Sequence, residues 1–295
     1  MISCLVLGSG GAVPTRDRAP AGYWVVVDGL SILLDPGPGS LARAIHDEQG
    51  PAGVDDIRTV LLSHLHIDHA ADAVPLLFAL HSSLPAGTDP IQLIGPPGLA
   101  RYLGLMREVY GEWISPARRE LIVTELEPGS ALGLDPDCRG VWRAEPAGSF
   151  LRDDGAQGLA AGGRGRTGGG PTVAAWRANH TETRLSDSNL CFRFRDGGGG
   201  VLAYSGDGER GQGLTEAARE ADLLIVECST PDELYTPGHM TPSAVAALCA
   251  EARPRRVVLT HLYPPAAALD LPALVRERYD GRVEKARDGA VYTVP

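Results

Sequence analysis

The segment His64-Leu65-His66-Ile67-Asp68-His69 puts three imidazoles and a carboxylate within six residues, a donor set suited to divalent metal ions. In an extended stretch, side chains two apart point the same way, so His64 and His66 can serve one ion. Asp68 and His69 fall where the chain turns toward a helix, which swings them to a second ion close by, and Asp68 can also orient a hydroxide bridging the pair. Such a centre needs about six or seven ligands from several segments, so other parts of the chain must complete it. The candidates are His180, Asp207 and His261, each just past an apolar run that reads as a strand. His239, in Pro237-Gly238-His239-Met240-Thr241-Pro242, precedes a helix and can protonate a leaving group or stabilise developing charge. Six of the eight histidines fall in these loops, and only His46 and His81 lie in helical stretches.

The elements that must position these residues follow from periodicity and turn residues. Strands are expected over 2–7, 23–27, 31–34 and 58–62, with the histidine cluster in the loop after the last of these and a helix over 70–80. Alternation continues with strands over 91–94 and 121–126 around a helix over 98–109. The second half has strands over 172–178, 190–195, 201–205, 222–227 and 256–260, and helices over 214–220 and 243–251, the latter opened by Pro242. Two strand-rich halves, each followed by helices, predict an α/β fold of two packed sheets with helices outside. Loops at the carboxyl ends of strands in such layers hold side chains rigidly. No second compositional domain is visible, so 1–295 reads as one domain. Half of the sixteen residues at 155–170 are glycine, which predicts a flexible insertion; a lid carrying Arg164 and Arg166 is the less favoured reading.

Composition narrows the function classes. With 295 residues and 43% hydrophobic content the chain can bury a core. It has no apolar run near the roughly 18 residues of a membrane helix and no basic-then-apolar amino terminus, so a cytoplasmic location is expected. Five scattered cysteines, none in a Cys-x-x-Cys pair, argue against a disulfide framework or thiolate metal site and read as small buried residues. The net charge of −10 disfavours polyphosphate partners. Gly8-Ser9-Gly10-Gly11 lacks the third spaced glycine of a dinucleotide loop, and Pro14 follows.

With those residues in place, the chain resembles the metallo-β-lactamase-fold hydrolases and, within them, the ribonuclease Z-like branch. The likeness rests on Leu7-Gly8-Ser9-Gly10-Gly11-Ala12-Val13-Pro14-Thr15, on Leu33-Leu34-Asp35-Pro36-Gly37 and on His64-x-His66-x-Asp68-His69. It implies an αββα sandwich of two mixed sheets with both metals at one edge. It places His180, in Asn179-His180-Thr181, as the third ligand of the first zinc, Asp207, in Ser205-Gly206-Asp207, as the bridging carboxylate, and His261, in Thr260-His261-Leu262, on the second zinc. It also maps a histidine that assists phosphodiester cleavage onto His239, and an acidic residue after a strand onto Glu227. The branch's transfer-RNA-gripping arm lies between the third metal motif and the bridging aspartate. Here His180 to Asp207 spans 27 positions, too few for that arm.

The sequence therefore predicts a dinuclear zinc hydrolase that cleaves a phosphodiester or related small ester through a metal-bridging hydroxide, with His239, held by Glu227, as proton donor. Manganese or iron remain open as the metals, although an all-imidazole first site suits zinc. Hydrolysis of a carboxylic ester, lactone, thioester or sulfate ester is the alternative, and a non-catalytic binding protein a third reading. A small anionic or ester substrate is expected in preference to transfer RNA, with no membrane partner and a homodimer allowed. Arg184, in the charged stretch 181–189, is a candidate phosphate or carboxylate contact, with a surface hairpin loop as the other reading.

Overall fold

The apolar runs separated by glycine and proline turns become strands of two sheets in the computed structural model, which describes residues 1–82, 87–134, 142–144, 170–181, 184–186 and 188–294. The first sheet contains β1 (Ile2–Gly8), β2 (Gly22–Val27), β3 (Leu30–Leu34), β4 (Thr59–Leu61), β5 (Ile91–Gly95) and β6 (Leu121–Glu125). The second contains β7 (Ala131–Leu134), β8 (Trp142–Ala144), β9 (Thr172–Ala178), β10 (Asn189–Arg195), β11 (Val201–Tyr204), β12 (Leu223–Glu227), β13 (Arg256–Thr260) and β14 (Arg282–Lys285). The last strand, β15 (Val291–Val294), returns to pair with β1 at the edge of the first sheet. Both sheets are mixed: β3 to β6 run parallel in one and β11 to β14 in the other.

The burial pattern explains the strand types. β12 is buried at every position and β13 at all but its first, as parallel strands covered on both faces must be. Edge strand β15 alternates exposed and buried. Between the sheets lies a core of Ile2, Val25, Ile32, Phe192, Phe194, Leu202 and their neighbours. Helices Ala73–His81 and Leu99–Tyr110 cover the outer face of the first sheet through Leu76, Leu80, Leu99 and Leu103. Helices Gln212–Ala218, Pro242–Ala252 and Leu271–Arg276 cover the second through Leu214, Val245, Leu248 and Val275. The result is the expected αββα arrangement. Truncating a fully buried ring such as Phe192 in the central layer would cost about 3–5 kcal/mol.

Two tyrosines cross that central layer in opposite directions. Tyr23 of β2 shares a 2.6 Å hydrogen bond with Thr260 at the end of β13, while the Tyr204 hydroxyl of β11 donates to Asp35, just past β3, at 2.7 Å. Their rings meet edge to face at 5.1 Å. Each sheet is thus tied to the carboxyl end of a strand in the other, and the loops beyond those ends carry the candidate residues.

Several expectations shift in detail. The helix expected over 70–80 is two helices, Ile67–Ala70 and Ala73–His81, so Asp68 and His69 sit on a helical turn of their own. Strands β7, β8, β14 and β15 were not anticipated, being short and at or near sheet edges, where period-two patterning is weak. Cys4, Cys191, Cys228 and Cys249 are buried free thiols, and burial pushes the Cys191 thiol up to about 12. Cys138 and the insertion at 155–169, with Arg164 and Arg166, lie outside the described residues. No helix among the described residues is long and apolar enough to cross a membrane.

Candidate metal centre

Past Leu61 the chain leaves β4, and His66, extended at φ −68° and ψ 150°, occupies the N-cap position of the Ile67–Ala70 turn. That change from strand-like to helical backbone redirects the side chains: His64 and His66 fall in one group with His180, and Asp68 and His69 in another with Asp207 and His261. Within each group the donor atoms lie within 4.8 Å of one another. His180 follows β9, Asp207 follows β11 and His261 follows β13, so four separate strand ends converge. Gly206, at φ 58°, lets the turn bearing Asp207 pass beneath β4's extension, where a Cβ would lie 2.9 Å from that of Ser63.

The spacings within the groups match metal coordination. Two donors about 2.0–2.1 Å from a tetrahedral zinc are about 3.3 Å apart. His180 Nε2 lies 3.2 Å from His66 Nδ1, and Asp207 Oδ2 lies 3.3 Å from His69 Nε2 and 3.2 Å from His261 Nε2. His261 Nε2 is 3.4 Å from Asp68 Oδ2, and His64 Nε2 is 3.9 Å from Asp207 Oδ2. The buried atoms His64 Nε2, His69 Nε2 and Asp207 Oδ1 have no hydrogen-bond partner among the described residues. Leaving three such atoms bare would cost roughly 1–3 kcal/mol each, which a cation between them removes. The donor set therefore fits a pair of divalent ions.

Orientation comes from behind. His69 Nδ1 donates to Asp35 Oδ2 at 3.0 Å, and His64 Nδ1 donates at 2.9 Å to Ser63 Oγ, which donates onward to Asp35 Oδ2 at 2.5 Å. The Ser63 amide adds 2.6 Å to Asp35 Oδ1. Both imidazoles are thereby held with Nε2 toward the cluster. His261 Nδ1 donates to Ser229 Oγ at 2.9 Å, and Ser229 Oγ donates to Glu227. Glu227 also accepts from the Gly208 amide at 2.5 Å, from His239 Nδ1 at 3.1 Å and from the Met240 amide at 3.2 Å. His180 Nδ1 donates to the Gly238 carbonyl at 2.6 Å. Asp35 and His261 take left-handed backbone angles, φ 44° and 55°, a strain of order 1 kcal/mol each that these contacts sustain. Behind His261, the Leu262 amide donates to the Ser9 carbonyl at 3.0 Å, so the glycine-rich loop after β1 serves as backing for this segment.

Charge follows from burial and neighbours. Burial and the adjacent His69 hold His64 well below the usual imidazole range, and burial with His180 lowers His66. Burial would also lower His69, but the charge of Asp207, 3.3 Å from Nε2, with the charge and hydrogen bond of Asp35, prevails and raises it well above that range. Burial opposes ionisation of Asp207, yet His261, His69 and His64 keep it well below the carboxylate range. At the mouth, burial opposes the charged form of His239, but the hydrogen bond and charge of Glu227 outweigh it and lift this imidazole to about 9. Its side chain is 15% exposed, and its ring stands 4.9 Å from that of His180 and 5.6 Å from that of His261.

The structure thus brings together His64, His66, Asp68, His69, His180, Asp207 and His261, with His239 and Glu227 alongside. It does not bring in Arg184, an exposed residue beside Leu185, whose carbonyl abuts Gly98; no described contact links it to the cluster. Sequence reasoning assigned no role to Asp35, Ser63 or Ser229. The available signals were an aspartate ending an apolar strand and a serine immediately before His64.

Comparison with known proteins bears on these segments directly. A family described as "Metallo-beta-lactamase superfamily" matches residues 16–133, and one described as "Beta-lactamase superfamily domain" matches 142–262. The chain is 27% identical over 287 residues to ribonuclease Z of Methanosarcina acetivorans, covering 89% of this chain and 88% of that protein. It is 29% identical over 306 residues to ribonuclease Z of Haloferax volcanii, covering 98% and 94%. Among solved structures, the metallo-beta-lactamase fold protein YhfI from Bacillus subtilis superposes with a TM-score of 0.72 at 21% identity, covering 99% of this chain and all of that one.

Proposed function

Because the chain belongs to the metallo-β-lactamase superfamily and is a metal-dependent hydrolase of phosphodiesterase-like kind, we propose that it cleaves phosphodiesters with two zinc ions. His64, His66 and His180 would hold one ion, Asp68, His69 and His261 the other, and Asp207 would lie between them. The observation that carries this reading is the convergence of those seven residues around buried His64 Nε2, His69 Nε2 and Asp207 Oδ1. When bound, the ions would supply an acidified water as nucleophile and Lewis-acid stabilisation of charge on the phosphoryl oxygens.

The chain's own residues do the rest. Asp68, buried and ionised, accepts a proton or hydrogen bond from the attacking water and so orients it. His239, kept protonated by Glu227, stands at the partly open side and delivers its proton to the departing oxygen. Asp35 and Ser63 hold the His64 and His69 rings so that no reorganisation is needed during the reaction.

The net charge of −10 favours a small phosphodiester. The relatives named ribonuclease Z favour RNA as a second substrate reading. Activity on bis-p-nitrophenyl phosphate and on a structured RNA bearing a 3′ extension would separate them. His64→Ala and Asp207→Ala should each remove bound metal and turnover together, read by elemental analysis and by release of p-nitrophenolate. Turnover undiminished in either variant would rule the centre out.

A further inference from the structure

Glu209 is two residues past Asp207 and joins three loops that carry candidate residues. Its amide donates to the Asn179 carbonyl at 2.8 Å, pinning the residue before His180. Its Oε1 accepts the Tyr235 hydroxyl at 2.5 Å and the Gly238 amide at 2.9 Å, fastening the segment 231–241 that bears His239. The same Gly238 offers its carbonyl to His180 Nδ1 at 2.6 Å. Gly238 stands at φ 86° with a Cβ position 3.0 Å from that nitrogen, so the approach requires glycine.

Between its two ends that segment is held by few apolar contacts. From Asp232 to Pro237 every residue is exposed, Leu234 at 55% and Tyr235 at 56%, and its only regular element is the short turn Asp232–Leu234. A loop with few buried apolar contacts stays closed through its polar ties. At its far end Met240 is buried and its amide meets Glu227. The near end is tied by Asp232, which accepts from the Ser243 amide at 3.2 Å and hydroxyl at 2.9 Å, and between the two ends the Tyr235 and Gly238 contacts both go to one carboxylate, Glu209.

We propose that Glu209 is a positioning residue that latches this loop onto the end of β9, so that the Gly238 carbonyl fixes His180 with Nε2 toward the cluster and His239 stays over the mouth. The inference rests on the metal-centre reading for its link to catalysis, and on hydrogen-bond geometry alone for the latch. An acceptor is what the latch requires. A glutamine at position 209 can accept from both donors, and alanine from neither.

The test uses the full chain with Glu209→Ala, Glu209→Gln and Tyr235→Phe. Amide hydrogen exchange at 234–239 is measured on metal-stripped protein, Zn2+ affinity by competition with a chromogenic chelator, and kcat and KM with bis-p-nitrophenyl phosphate. Glu209→Ala should speed exchange at Gly238 and His239, weaken the lower-affinity Zn2+ about tenfold, and lower kcat about tenfold with KM nearly unchanged, in line with loss of an outer partner of a ligating histidine. Glu209→Gln should restore most of each, and Tyr235→Phe should fall between. Unchanged exchange in Glu209→Ala, or a Glu209→Gln as defective as alanine, overturns the latch. Wild-type protein that binds no Zn2+ defeats the metal-centre reading instead, while the exchange measurement still decides the latch.

Discussion

Asp35 and Glu227 are both fully buried carboxylates at the ends of parallel strands, one in each sheet, and each gathers four hydrogen bonds from described residues. Each reaches one imidazole directly and another through a serine hydroxyl: His69 and, by Ser63, His64 in one case, His239 and, by Ser229, His261 in the other. They differ in what those imidazoles face. His64 and His69 are both wholly buried with Nε2 toward the cluster, whereas on the Glu227 side only His261 is so placed and His239 lies at the mouth. The same polar device, repeated in two sheets, serves rigid holding in one place and, on the proposed reading, holding plus proton delivery in the other. Both carboxylates raise the proton affinity of the ring they bond directly, but His69 is sealed among the candidate ligands whereas His239 is partly exposed, where a proton can be passed on.

Substitutions at the two hubs can break that comparison. The largest effect is expected at His239: alanine should lower kcat about 100- to 10,000-fold for phosphodiesters with poorly acidic leaving groups, less for p-nitrophenol, with both metal ions retained. Equal losses across a leaving-group series would remove proton donation from its role. Next, Asp35→Asn places an amide donor against the hydroxyls and imidazole that point at this carboxylate. Zn2+ affinity should fall about 10- to 100-fold, and urea unfolding should show a loss of about 1–3 kcal/mol. Glu227→Gln should leave affinity much nearer wild type; matching losses in the two variants would mean that the hubs do the same work.

Glu227→Gln should instead move the pH dependence. Glu227 raises His239, so the protonated imidazole persists below its pKa and is lost as pH rises through it. Neutralising the carboxylate lowers that pKa, and the alkaline limb of kcat must shift to lower pH than in wild type. A limb that stays put or moves up would exclude His239 as the titrating acid. The smallest effect is expected at Arg184. If its exposed guanidinium meets an anionic substrate, alanine raises KM about 2- to 5-fold, the worth of a solvent-screened contact, with kcat unchanged; an unaltered KM would confine Arg184 to the surface loop.

How much of this could be read from the chain depends on sequence distance. The cluster at 64–69 is legible because four donors fall within six residues and the change to helical backbone that divides them between two groups is local. His180, Asp207 and His261 are legible by position, since each follows a short apolar run that reads as a strand and is one in the structure. Ser63 and Ser229 are not, because a serine beside a histidine is ordinary until a carboxylate is found on its far side. Asp35 acquires its role from His69, 34 residues on, and from Tyr204, 169 residues on. Glu209 acquires its role from Tyr235 and Gly238.

By itself the sequence determined the layered α/β architecture and the donor types, because strand periodicity, turn residues and side-chain chemistry are properties of neighbouring residues. The tertiary structure alone decided which nitrogen of each imidazole faces the cluster, how the crossed pair Tyr23 and Tyr204 ties one sheet to the other, and which histidines the buried carboxylates raise. Those outcomes depend on hydrogen bonds and burial between strands distant in the chain, and such contacts exist only once the two sheets have closed on each other.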